Sequence, residues 1–131
     1  MQQSKTPAFK MSIPHEIEVG RTTLAQEIKG LQALSEALDG HFVSAVETIF
    51  ALKGRLIVSG MGKSGHIARK IAATMASTGT PASFVHPAEA SHGDLGMVTK
   101  QDGLLLLSNS GETAELRDMI AYATRFSIPL I

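Results

Sequence analysis

Three short stretches of this sequence gather the residue types that bind or move small charged groups. Gly60-Met61-Gly62-Lys63-Ser64-Gly65 combines glycines with a cation and a hydroxyl. Residues His86 to Met97 include His86, Glu89, His92 and Asp94, and Ser108-Asn109-Ser110-Gly111-Glu112-Thr113 offers three hydroxyls. In the first stretch the glycines let backbone approach an anion closely. The helix that follows presents unpartnered N–H groups and the positive end of its dipole, so a phosphate is the simplest ligand. The third stretch can bind a phosphate with hydroxyls and N–H groups and no guanidinium, or it can simply cap a helix through Ser110 or Thr113. The middle stretch allows two chemistries. His86, Glu89 and His92 could hold zinc, or the imidazoles could carry protons near neutral pH without a metal; as plain loop residues they would be solvated, with Asp94 capping a turn.

Two better-known glycine turns fit the first stretch less well. A triphosphate-binding loop needs glycine five residues before the Gly-Lys-Ser triplet, where this chain has Ile57 in an apolar run. Gly60, Gly62 and Gly65 do satisfy the dinucleotide spacing, but the second predicted strand, Ala82 to His86, ends in histidine where a ribose-binding acid is wanted.

The elements that must position these stretches follow from periodicity. Leu56-Ile57-Val58 reads as a buried strand entering the glycine turn, and a helix follows in which Ile67, Ile71 and Met75 recur beside an Ala68, Ala72, Ala76 row. Gly79 and Pro81 end that helix. Leu104 to Leu107 reads as a third strand running into the hydroxyl stretch. A helix through about Phe126 is expected to turn Leu116, Ile120, Ala123 and Tyr122 or Phe126 inward, and Ile128-Pro129-Leu130-Ile131 opens a fourth strand. Residues 86–97 read as a loop poor in core residues. Strand–helix alternation predicts an α/β fold with a mainly parallel sheet, and all three chemical stretches leave carboxyl ends of strands, where such sheets bind ligands. Upstream, residues 1–14 read as a loose leader and 15–40 as a helical arm with the stripe Leu24, Ile28, Leu31, Leu34, Leu38, placed in the core or against a second subunit. A second helix spans about Phe42 to Leu52. The domain proper is expected over 41–131.

Composition narrows the classes. The 131 residues suffice for one domain with a core, and charges balance to zero, which gives no electrostatic reason for nucleic acid or an acidic membrane surface. There is no cysteine, hence no disulfide and no thiolate chemistry. No apolar run approaches the roughly 20 residues of a membrane helix, and without a secretory h-region the expected compartment is the cytoplasm.

Gly60-Met61-Gly62-Lys63-Ser64-Gly65-His66, His86-Pro87-Ala88-Glu89-Ala90-Ser91-His92-Gly93-Asp94-Leu95-Gly96-Met97 and Ser108-Asn109-Ser110-Gly111-Glu112-Thr113 resemble the sugar isomerase (SIS) domain of D-arabinose-5-phosphate isomerases. The last stretch is general to SIS domains; the first two are more specific. The resemblance spans about Glu16 to Ile131. It implies a flavodoxin-like, three-layer α/β/α domain stopping here at its fourth strand. It also implies interconversion of ribulose 5-phosphate and arabinose 5-phosphate for a lipopolysaccharide sugar, no cofactor, and a homodimer or homotetramer. It implies catalytic roles for Lys63, Glu115 and His92. Substrate contacts are implied at Gly60, Gly62, Ser64, Gly79, Thr80, Glu89, His92, Ser108, Asn109, Ser110 and Thr113, and inhibitory zinc at His86. The chemistry fits these types: a base takes the C2 proton, and a cation steadies the enediolate oxygen. The alternative is a SIS module that senses sugar phosphates without turnover. A sheet ending at the fourth strand would leave Leu104–Leu107 near an unpaired edge, which predicts self-association.

Overall fold

The computed structural model describes residues 13–131. The chain divides into two compact units, Met1–Gly40 and His41–Ile131. The first contains α1, Ile13–Ala37. Most of the expected leader lies outside the described residues, but Ile13 and Pro14 already belong to the helix; proline is tolerated there because first-turn N–H groups have no helical acceptor. Leu24, Ile28, Leu31, Leu34 and Leu38 are each more than half exposed. Within its own unit the stripe is left uncovered, as a single helix must leave it.

The second unit begins at the second residue of α2, Gly40–Ala51, which leads to β1, Leu56–Gly60. There follow α3, Gly62–Ser77, β2, Ala82–Phe84, and α4, Pro87–Ser91. A 3-10 turn Asp94–Met97 precedes β3, Gly103–Leu107; a second 3-10 turn Ala114–Leu116 leads into α5, Arg117–Phe126. The strands are parallel in the order β2-β1-β3, with Leu56 beside both Ala82 and Gly103. The expected fourth strand is present as a short pairing. Leu104 N–H donates to Pro129 O, Leu106 N–H to Ile131 O and Ile131 N–H to Leu104 O, each at 2.9 Å. The outer edge of β3 is thus paired with Pro129–Ile131, so Leu104–Leu107 lie one strand in from that side of the sheet.

Side chains alternate along a strand, so β1 feeds two cores. Leu56 and Val58 pack with Ala68 and Ala72 of α3, with Ile49, Leu52, Ile71 and Met75 around them. Ile57 packs on the other face with Val85, Ala90, Val98, Leu104, Leu116, Met119, Ala123 and Ile128. The result is helix, sheet, helix, the three-layer arrangement expected of the sequence.

Two further expectations need correction. Residues 86–97 are not all loop, since they include α4, whose Pro87 and Ala90 are buried, and Val98 closes the segment in the core. Met119, not Ile120, faces inward from α5. The 3-10 turn before α5 has three residues per turn, and that shift of phase carries the buried face from Leu116 to Met119 and Ala123.

Candidate functional site

β1 is central, and the chain leaves it toward β2 on one side and returns as β3 on the other. The loops after β1 and β3 therefore face each other where strand order reverses, the place where open α/β sheets hold ligands. A cleft of about 430 Å³ lies there, lined by Lys63, Ser64, Ile67, Leu106, Leu107, Ser108 and Asn109.

The glycines of the first loop are required by contact. A Cβ on Gly65 would stand 2.6 Å from Gly60 O, and one on Gly60 would meet Ser64 backbone and Leu107 O at 3.0–3.1 Å. Gly62 opens α3 at φ +53°, a conformation glycine adopts without penalty. No side chain caps α3 at Met61, so its first-turn N–H groups remain available to an anion. Lys63 is exposed and Ser64 half-buried beside them.

The third loop is built by its own hydroxyls. Ser108 Oγ and Thr113 Oγ1 are 2.7 Å apart, Gly111 N–H donates to Ser108 Oγ at 3.0 Å, and Glu112 N–H donates to Ser110 Oγ at 3.1 Å. Thr113 precedes the 3-10 turn without capping it, because its hydroxyl is engaged with Ser108. Asn109 and Ser110 remain exposed. Glu115 lies exposed in the 3-10 turn, against which α4 packs.

In the middle segment His86 has a structural task. Its Nδ1 accepts the Ala88 N–H at 3.2 Å and so caps α4, while its ring meets Phe84 edge-on at 6.4 Å. Glu89, His92 and Asp94 are exposed. Among the described residues no three metal-ligating side chains gather to hold an ion.

The structure thus brings Lys63 and Ser64 together with Ser108 and Asn109. Gly60, Gly62, Ser110 and Thr113 shape the same two loops. His92, Glu89 and Glu115 do not line the cleft. Gly79 and Thr80 lie elsewhere: they line a cleft of about 370 Å³ at the amino edge of the sheet, with Gly54, Leu56 and Pro81. Sequence reasoning passed over four residues. Arg117 joins Gly111, Glu112 and Thr113 around a hollow of about 360 Å³, and a cation two positions past Glu115 was the only available signal. Ser59, Arg55 and Asp102 fasten the segment that carries the histidines. Ser59 Oγ donates to Val85 O at 2.6 Å. Asp102 accepts from Arg55 N–H at 2.6 Å and from Thr99 N–H and Oγ1 at 2.8 and 3.0 Å. Burial pushes the Asp102 carboxyl up, but the hydrogen bonds from Arg55 and Thr99, with the Arg55 charge, hold it below its ordinary value.

Residues 49–131 match the model of the SIS domain. The chain belongs to the SIS domain family. The arabinose 5-phosphate isomerase KdsD of Escherichia coli K12 is 52% identical over 114 residues, which is 87% of this chain and 35% of that protein. KdsD of Pseudomonas aeruginosa is 52% identical over 115 residues, 88% of this chain and 35% of that protein. A solved Escherichia coli CFT073 protein in complex with arabinose 5-phosphate superposes with a TM-score of 0.84 at 40% identity, over 92% of this chain and 64% of that one. The chain spans about a third of the length of the curated relatives it matches. No helix among the described residues of this SIS domain is long and apolar enough to cross a membrane.

Proposed function

We propose that this SIS domain binds D-arabinose 5-phosphate and D-ribulose 5-phosphate, and that the protein it forms interconverts them through an enediolate in the supply of a lipopolysaccharide sugar. The observation that carries the reading is the cleft at the strand-order reversal, where Lys63 and the start of α3 stand across from Ser108 and Asn109. Hydroxyls and first-turn N–H groups suit the phosphate. Lys63 supplies positive charge beside the oxyanion that forms as the carbonyl moves between C1 and C2. Glu115 and His92 are the two candidates for the base; such a group typically contributes about 10² to 10⁴ in rate. The names of the KdsD relatives and the structure solved with the sugar phosphate bound support the substrate. The exposed stripe of α1 supports an assembly of two or four copies.

Calorimetry tests the site directly. Arabinose 5-phosphate is expected to bind more tightly than arabinose, and Ser108→Ala to remove much of the difference, at about 1 kcal/mol or more for the lost hydrogen bonds. Equal affinities of the wild-type chain for the two sugars would remove the phosphate-site reading.

A further inference from the structure

Only two polar or charged side chains of the described residues are buried, Ser59 and Asp102, and each holds one end of the same segment. That segment begins where β2 leaves the ladder. Val85 N–H still donates to Val58 O at 3.1 Å, but the Val85 carbonyl is taken by the Ser59 hydroxyl at 2.6 Å, across 26 residues of sequence. The next residue is His86, whose ring nitrogen caps α4. Downstream, Arg55 Nη2 donates to Met97 O at 3.2 Å, Tyr122 Oη to Val98 O at 3.2 Å, and Asp102 binds Thr99. The far end is thus tied by several side chains, whereas at the end bearing His86 the Ser59 hydroxyl supplies the side-chain hydrogen bond back to the sheet, beside the Val85–Val58 backbone bond and the buried Pro87.

We propose that Ser59 is a positioning residue that sets where the His86–Met97 segment departs from the sheet, and so where His86, Glu89 and His92 stand relative to the Lys63 cleft. The physical reason is the cost of an unpaired carbonyl. Fully buried, Ser59 offers the Val85 oxygen a donor where water has no access, one residue before the His86 that caps α4. What the held segment does rests on the isomerase reading; how it is held does not.

The test compares Ser59→Ala, Ser59→Thr and Ser59→Cys in the full chain by amide hydrogen exchange. The reporters are the amides of His92 and Gly93, which donate to α4 carbonyls, and of Leu104 and Leu106, which donate to Pro129 and Ile131. Ser59→Ala is expected to speed exchange at His92 and Gly93 at least tenfold and leave Leu104 and Leu106 within twofold. Ser59→Thr keeps the hydroxyl but adds a buried methyl, so it is expected to exchange at His92 and Gly93 more slowly than Ser59→Ala. Equal acceleration at both sets, or none at either, would overturn the proposal. Should Ser59→Ala not fold, Ser59→Cys, a far weaker donor of similar size, is read by the same criteria. In turnover of arabinose 5-phosphate, Ser59→Ala is expected to lower kcat tenfold with KM unchanged and Ser59→Thr to restore part of it; an unchanged kcat in a folded Ser59→Ala would count against the proposal. If the wild type neither binds nor converts the sugar phosphate, the isomerase reading fails, and the exchange comparison still decides the role of Ser59.

Discussion

Replacing Gly65 by alanine sets two ordinary effects against each other at the centre of the phosphate turn. Within a helix the change favours folding by about 1 kcal/mol, because alanine loses less backbone freedom than glycine. Here the new Cβ would stand 2.6 Å from Gly60 O and 3.9 Å from Phe84 Cζ. Methyl-to-oxygen contacts become ordinary near 3.4 Å, so about 0.8 Å of separation must come from moving backbone against backbone, which costs about 1–3 kcal/mol where extra carbon is forced into packed surroundings. Gly60 is held in the sheet by its pairing with Leu107. The steric term wins in most of that range, and the net expectation is a loss of up to about 2 kcal/mol, or up to roughly 15 °C in melting temperature for a unit of this size. Moving α3 from β1 also moves its first-turn N–H groups, so affinity for arabinose 5-phosphate falls at least tenfold. Urea unfolding and calorimetry read the two effects separately. A Gly65→Ala chain more stable than wild type by the full helix-propensity gain, with unchanged affinity, would show that α3 does not press on Gly60 and would refute the argument.

Two other perturbations follow from the same structure. Asp102 has a folded-state pKa below its unfolded value, so the stability it contributes is present above the ordinary carboxylate range, near pH 4. That stability is lost as pH falls through the lower folded value; urea titrations of wild type and Asp102→Asn should therefore differ at pH 6 and converge in strong acid, with Asn costing about 1–3 kcal/mol at pH 6 for donors left unmatched. Ser127 ends α5 in the left-handed region at φ 53°, and Ser127→Gly should raise stability by about 1 kcal/mol in thermal unfolding, with no gain if that conformation is absent in solution.

The sheet and the cleft were legible because their signals are local. Leu56 to Val58 and Leu104 to Leu107 are short apolar runs ended by turn residues, and both enter hydroxyl-bearing loops. Once strand and helix alternate, chain order places those loops on one edge. Helix α4 escaped notice because five residues carry no period, and because its cap is a histidine, a residue outside the usual capping set. The phase of α5 escaped because a 3-10 turn precedes it. The α1 stripe was readable as a period, but a period does not say what covers it. Ser59 and Asp102 were invisible for another reason: their partners lie 26 and 47 residues away in sequence, at Val85 and Arg55, and neither residue type announces a distant acceptor or donor.

Gly79 and Thr80 show where spacing and place part company. The pair precedes β2 and sits beside Leu56, the first residue of β1, whereas Gly60 is the last and Met61 to Ser64 follow it. Five residues of parallel strand separate the two by about 13 Å, longer than a pentose phosphate, so one ligand cannot touch both in a single chain. What the pair does where it stands follows from its neighbours. Gly79, at φ +100°, stops α3, and Thr80 N–H closes on Met75 O at 2.9 Å. Val46, Ile49, Met75 and Pro81 around it form an apolar wall. Such a surface can pack against other apolar groups, and although Thr80 brings one hydroxyl to it, no helix among the described residues begins there to offer free N–H groups to a phosphate; those lie at the opposite edge with Lys63 and Ser108.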